Sequence, residues 1–263
     1  MRKLKELLII IFDRKLTGRH IIYASMIIVG AFLAAAALRM IFSDVIEDAA
    51  ARTEYLQLRE TFPAVSGTPV PAPQEEPDEE IEEEEDDFDL RDLSLDELVA
   101  INGDFIGWIN ATHRIDYPVV RGRDNNKYIN TTFFGSRNSA GTIFMDYRHT
   151  GGFDEHVAIL YGHFTRDGSM FSALINFLDP SFRRSNPNIS ITTRDGRKLT
   201  YTIFAATQTD AWDIAYTVGV NDSAKASEVF PNAPQNASRF LLLSTCTRSS
   251  DENERILVYA ALS

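Results

Sequence analysis

The stretch Arg239 to Leu262 reads RFLLLSTCTRSSDENERILVYAAL, two apolar runs parted by the polar segment TRSSDENE. Runs of this length on either side of a short polar connection read as two β-strands. The first ends on Cys246, the only cysteine in the chain, and the second opens on Arg255. If the two strands are adjacent and antiparallel, those ends meet and a guanidinium falls near the sulfur. A positive charge there favours the thiolate and can hold a developing oxyanion. Six comparable runs precede this pair: FIGWI, IDYPVV, GTIFMD, HVAILYGH, ISITT and KLTYTIFAATQ. Gly, Asn and Asp separate most of them, as in RGRDNN at 121–126 and RDGRK at 194–198. Short strands at this spacing predict a mainly β domain over 93–263, an antiparallel barrel or sandwich.

Helical signals punctuate the strands. In LSLDELVAIN, Ser94 is placed as an N-cap with Glu97 three residues on, and Leu93 and Leu98 can staple the entry. The run Met170–Leu178 puts Met170, Leu174, Ile175 and Leu178 on one α-helical face, with Ser169 as its cap. A shorter helix is predicted over Asp222–Phe230, just before the cysteine strand.

The N-terminal third differs in composition. Residues 21–38, IIYASMIIVGAFLAAAAL, are uncharged and just long enough to cross a hydrocarbon core as a helix. Basic residues precede them (Arg2, Lys3, Lys5, Arg14, Lys15, Arg19) and acids follow (Asp44, Glu47, Asp48), which predicts a cytoplasmic N-terminus and an exported remainder. A cleaved signal peptide, with Ala34 to Ala37 offering the cleavage site, is the rival reading. The run LLIIIF at 7–12 is too short to span. Between Thr61 and Asp92 prolines give way to a block of acids, and the twelve between Glu75 and Asp89 equal the whole formal net charge of −12. Such a segment repels itself and buries nothing, so it reads as an extended linker. The expected organisation is a basic cytoplasmic segment at 1–19, an anchor at 20–42, a Pro-rich and acidic linker at 43–92, and the folded domain at 93–263. The acidity belongs to the tether, and no basic patch points to nucleic acid.

A single exported cysteine cannot close an internal disulfide, which leaves a buried apolar residue, an intermolecular link or a reactive thiol. A nucleophilic thiol needs a proton carrier, and five histidines are available. His20 lies at the membrane edge, and His113 and His149 read as solvated loop residues. His156 opens a strand and reads as structural. His163 closes the same strand and feeds a loop, a position suited equally to catalysis and to structure. Ser244 shares the face of Cys246 if the strand alternates, which makes it a candidate substrate contact. Arg248 and the acids Asp251, Glu252 and Glu254 read as solvated loop charges. No spaced oxygen-ligand pattern accompanies them, so neither a metal nor a cofactor is predicted.

The run INGDFIGWINATHRIDYPVVRGRDNNKYIN, then GTIFMD, YGHFTRDGSMFSAL, LLLSTC and ERILV, in this order, resembles class B sortases from about Leu95 to Leu262. The resemblance implies an eight-stranded β-barrel with short helices, with N-terminal helices and a further helix before the cysteine strand. It also implies His163, Cys246 and Arg255 as the catalytic set, with the cysteine as nucleophile. The implied activity is a cysteine transpeptidase that cuts a C-terminal sorting signal of secreted proteins through a thioester acyl-enzyme. It then joins them to an amine of a peptidoglycan precursor in a Gram-positive cell wall, and a signal of the Asn-Pro-x-Thr or Ser-Pro-x-Thr type is expected. A pilin lysine as acceptor, and a non-catalytic wall-binding module, are the alternatives. Papain-like peptidases place the cysteine before the histidine, an order this chain lacks. Sortases often carry Thr-Leu-x-Thr-Cys, where this chain has Leu242 in place of the first Thr, a change expected to alter packing and not chemistry.

Overall fold

The computed structural model describes residues 18–61 and 95–263, except 231, 235, 248 and 250. The basic segment before residue 18, the run at 7–12, the acidic block at 75–89, the Leu93 and Ser94 cap and Arg248 lie outside the described residues. The chain divides into two compact units, 1–47 and 48–263. A single helix, α1 (Gly18–Thr61), contributes to both. In the first unit its large apolar side chains, among them Met26, Ile27, Val29 and Phe32, are exposed. Among the described residues no helix is long and apolar enough to cross a membrane, and the uncharged run at 21–38 includes side chains outside that set.

The second unit begins earlier than the sequence reading placed it. Residues 43–61 are helix, not linker. Ala51, Tyr55 and Leu58, spaced four and three apart on one helical face, are buried in the same core as the barrel. Tyr55 donates to the carbonyl of Gly141 at 2.6 Å and meets Tyr117 edge-on at 5.4 Å. Arg59 donates to the carbonyl of Asp116 at 2.6 Å and lies 4.4 Å over the Tyr117 ring. A second helix, α2 (Leu95–Ile101), packs Leu98 into that core.

All eight expected strands form: β1 (Phe105–Ala111), β2 (Ile115–Val120), β3 (Ile143–Met145), β4 (Val157–Tyr161), β5 (Asn188–Thr193), β6 (Lys198–Asp210), β7 (Phe240–Cys246) and β8 (Glu254–Leu262). They close a barrel in the order β1-β2-β3-β4-β7-β8-β6-β5. The barrel is mixed, because β2 pairs with β3 and β4 with β7 in parallel. Parallel neighbours need long crossovers, and the segments between these strands supply them.

Strand parity divides the core. Along β7, Leu241 and Leu243 belong to one cluster with Leu160 of β4 and Val258 of β8. Phe240 and Leu242 belong to a second with Ile159, Leu257 and Tyr259. This second layer is roofed by Phe230, Ala226 and Ala215, from helix α4 (Ser223–Val229) and the residues around it. The predicted helix is present here, and Asp222 caps it by accepting from the Lys225 amide. With both faces covered, β7 is buried at every residue except its last. Leu242 fills a place in the outer layer, a packing role for the residue that departs from the common motif.

The run after the β4 loop differs from expectation. Phe171–Leu178 is 3-10 helix, and Met170 precedes it at φ 50° with no side-chain cap. A three-residue turn eclipses positions i and i+3. Phe171, Leu174 and Phe177 therefore form the buried row, and Ile175 is exposed. Ser169 bonds Asp167 and Thr165 instead of capping. A short helix, α3 (Pro180–Ser185), follows, capped by Asp179.

Candidate active site

Continuing the outer parity of three adjacent strands brings the expected residues together. On β7, Ser244 and Cys246 follow Phe240 and Leu242 on that face. On β8, Arg255 precedes Leu257 by two, and Cys246 and Arg255 are direct cross-strand partners. On β4, Tyr161 follows Ile159, and His163 lies two residues past the end of the strand. The three elements meet in an open cleft of about 530 Å³ lined by His163, Cys246, Arg255, Ser244, Tyr161 and Tyr216, among others. Cys246 is exposed there, which excludes the reading of a buried apolar thiol.

Each side chain is held by identifiable partners. The His163 Nε2 lies 2.6 Å from the carbonyl oxygen of Ile129. A carbonyl only accepts, so Nε2 carries the hydrogen and the neutral ring keeps Nδ1 as its acceptor. Between Tyr161 and His163, Gly162 is required by a close approach: a Cβ there would lie 2.8 Å from the Phe171 ring. The Gly162 amide donates to the carbonyl of Ser244, tying the histidine's strand to the cysteine's.

Arg255 donates to two carbonyls of its own loop, Glu252 at 2.6 Å and Glu254 at 2.9 Å. Among the described residues it makes no ion pair, so its charge is not neutralised beside the thiol. The loop that carries these carbonyls is wired by its polar side chains. Thr247 Oγ1 donates to Glu254 at 2.6 Å and accepts from the Ser249 amide. Ser249 Oγ accepts from the Asp251 amide, and Asp251 from Asn253. Gln208 reaches Glu254 from β6, and hydrogen bonds from Thr247 and Gln208 hold the Glu254 carboxyl below its ordinary value. Among the described residues no group of three or more His, Cys, Asp or Glu could hold a metal ion.

Two tyrosines and an ion pair were missed from sequence. Tyr216 hydrogen-bonds Ser244 Oγ at 2.7 Å and stacks on Tyr161, with centroids 6.1 Å apart. Ser244 therefore shares the face of Cys246 as expected, but it is 2% exposed and its hydroxyl is engaged by Tyr216. Tyr161 donates to Asp146 at 3.1 Å, and Arg148 clamps the same carboxylate through Nε and Nη2 at 2.8 and 2.7 Å. Burial alone would raise the Asp146 pKa, but the bonds from Arg148 hold it down at about 2. Burial and the Asp146 charge push the Tyr161 phenol well above its ordinary value. The signal in the sequence was the D-Y-R spacing after GTIFM, where the arginine can fold back on the aspartate two residues before it.

The remaining histidines are accounted for by structure. His149 is not solvated as expected: it is buried, with Nδ1 2.6 Å from Glu155 and its backbone carbonyl accepting from Arg121. His156 Nδ1 meets the carbonyl of Ser238 at 2.7 Å. His113 is exposed beside Arg114. The side chain of His20 lies outside the described residues.

Comparison with known proteins accords with this architecture. The Sortase domain family model matches residues 109–263. A Staphylococcus aureus Sortase B is 31% identical over 182 residues, covering 64% of this chain and 74% of that protein. A Listeria monocytogenes Sortase B is 38% identical over 103 residues, covering 39% of this chain and 42% of the relative's length. The crystal structure of a Streptococcus pyogenes class B sortase involved in pilus biogenesis superposes with a TM-score of 0.56 at 31% identity, covering 64% of this chain and 97% of that one. With a closed eight-stranded barrel and one thiol at the end of β7, the chain belongs to the sortase family of cysteine transpeptidases, in its class B.

Proposed function

We propose that this sortase cleaves a C-terminal sorting signal of secreted proteins and joins the new carboxyl end to a cell-wall amine. The observation that carries the reading is the direct cross-strand pairing of Cys246 with Arg255, with His163, just past the end of the neighbouring strand, lining the same cleft. Cys246 gives its thiol proton to His163 Nδ1, and the thiolate attacks the carbonyl carbon after the signal's Thr, giving a tetrahedral oxyanion that Arg255 stabilises with its charged donors. The C–N bond then breaks, and His163 passes a proton to the departing nitrogen, leaving a thioester on Cys246. The incoming amine attacks the thioester, yields a proton to His163 and expels the thiolate. Since Nε2–H is occupied by Ile129, Nδ1 is the nitrogen suited to exchange the proton. No cofactor enters this scheme.

The run at 21–38 serves as an uncleaved anchor in this reading, with the N-terminus cytoplasmic and the catalytic unit outside the cell. The acidic segment spaces that unit from the lipid surface, where a lipid-linked wall precursor would be held at high effective concentration. A pilin lysine is the alternative acceptor, favoured only by the pilus role of the Streptococcus pyogenes relative. The test is a set of labelled peptides of the Asn-Pro-x-Thr, Ser-Pro-x-Thr and Leu-Pro-x-Thr-Gly types, incubated with the enzyme and an amine, with products read by mass spectrometry. A peptide–amine adduct and a trapped Cys246 thioester are expected. Peptides returned intact throughout would leave a binding module.

A further inference from the structure

A second cleft, of about 280 Å³, lies within the second unit between the C-terminal part of α1, the β1–β2 turn and the loop that follows His163. Its lining includes Arg52 and Arg59 from α1, His113 and Arg114 from the turn, and Asp167 and Gly168 from the loop. Three guanidiniums and one carboxylate line it, and with Arg59 paired to Asp116 the remaining Arg52 and Arg114 leave an excess of one positive charge over Asp167. Arg59 is engaged with Asp116 and the Tyr117 ring. Arg52 and Arg114 are both exposed and, among the described residues, make no ion pair. Burial would raise the Asp167 pKa, but hydrogen bonds from Ser169 and the charge of Arg52 keep its carboxyl ionised below the ordinary value. The excess therefore persists at neutral pH.

We infer that this cleft is an oxyanion site for a phosphoryl group, whose occupancy restrains the loop carrying His163. Guanidiniums approaching from two separate elements suit a tetrahedral dianion, which can accept hydrogen bonds from several directions at once. The coupling to the histidine is structural. The loop from Thr165 to Met170 opens two residues after His163, and Phe164 bridges Met170 at its base. The Phe171 amide donates to the His163 carbonyl at 3.1 Å, and the Met170 amide donates to Tyr117 Oη. Met170 holds φ 50°, a conformation that L side chains seldom adopt. An anion bridging Arg52, Arg114 and the loop would stabilise that conformation from outside. The source is either a phospholipid or lipid-linked headgroup or a free phosphate.

The test uses the full chain in neutral-detergent micelles at low salt, titrated with inorganic pyrophosphate and followed by calorimetry. One saturable site is expected, weakened on the order of tenfold by each of R52Q and R114Q, with an unchanged thermal midpoint in the anion-free protein. Hydrogen exchange at residues 164–170 should slow on addition of pyrophosphate in the parent and not in the double variant. Displacement of pyrophosphate by micelles doped with phosphatidic acid, but not with phosphatidylcholine, assigns the site to a lipid headgroup, and no displacement assigns it to a free phosphate. Absence of saturable binding, or binding unaltered in the double variant, overturns the inference. So does binding that appears only after residues 75–89 are deleted, because the chain's own acids would then be the occupant. None of these readouts depends on peptide cleavage.

Discussion

Cys246 is the one residue of β7 that reaches solvent, and its neighbours explain why that position suits a nucleophile. Among the described residues Arg255 stands opposite it with no ion pair, and His163 Nδ1 has no partner. Replacing Cys246 with Ala removes an exposed side chain. The variant should keep the parent's thermal midpoint while forming no thioester, and a collapsed transition would show that the thiol was needed for the fold instead. Arg255→Lys keeps the charge but loses the planar fork held by the Glu252 and Glu254 carbonyls. Peptide cleavage should fall on the order of 100- to 1000-fold, the usual cost of one oxyanion donor, measured as kcat/KM against the parent. At this scale the sequence was legible wherever a residue's place followed from strand parity, as for Cys246, Arg255 and His163. It misled where a polar neighbourhood hid a specific partner. His149 sits in RHTGG, which reads as solvent-facing, yet Glu155 six residues on gives its buried ring a carboxylate partner. Tyr216 lies in a connection with no periodicity to place it.

The strands were readable as elements because each is a run of apolar residues between turn formers, but their pairing was not. Parallel neighbours β4 and β7 are separated by residues 162–239, and nothing local distinguishes them from an antiparallel pair. The same limit hid the three-residue period of Phe171–Leu178, since Leu174 satisfies both α-helical and 3-10 spacing. Two tests belong here. In Gly162→Ala the added methyl meets the Phe171 ring at a backbone position that cannot retreat without moving His163. A destabilisation of about 1–3 kcal/mol is expected, together with slower cleavage, read from a denaturant titration and a peptide assay. The second concerns acid. Asp146 has its pKa depressed to about 2 in the folded protein, so its contribution is complete above the unfolded carboxyl's ordinary pKa and is lost as pH falls toward 2. Asp146→Asn should flatten the part of the stability–pH curve between about 4 and 2, followed by thermal melts across that range. An unchanged acid limb would mean that the Arg148 clamp contributes nothing to stability.

For the whole molecule, the unexpected boundary is at residue 48. The C-terminal part of α1 is sealed to the barrel through Ala51, Tyr55 and Leu58, with contacts such as Tyr55 to Gly141 joining residues far apart in sequence and so leaving no local trace. A chain beginning at 48 should melt as the barrel of the full chain does. One beginning at 62 should lose on the order of 5 kcal/mol, a large part of the ~5–15 kcal/mol that holds a domain folded. Circular dichroism melts of the two would measure the difference. Equal midpoints would mean that the helix merely rests on the barrel.

The double-sided burial of β7 also acts as a form of proofreading. A strand with one solvated face can slip by a residue at moderate cost, but here each face has its own cluster and its own set of side-chain volumes. A one-residue slip would turn Thr245 toward the cleft, drive the sulfur into the barrel interior and exchange Leu242 with Leu243 between two differently shaped layers. Misregistered chains would thus be unstable as well as inactive. Any molecule that folds well enough to persist carries its thiol facing the arginine.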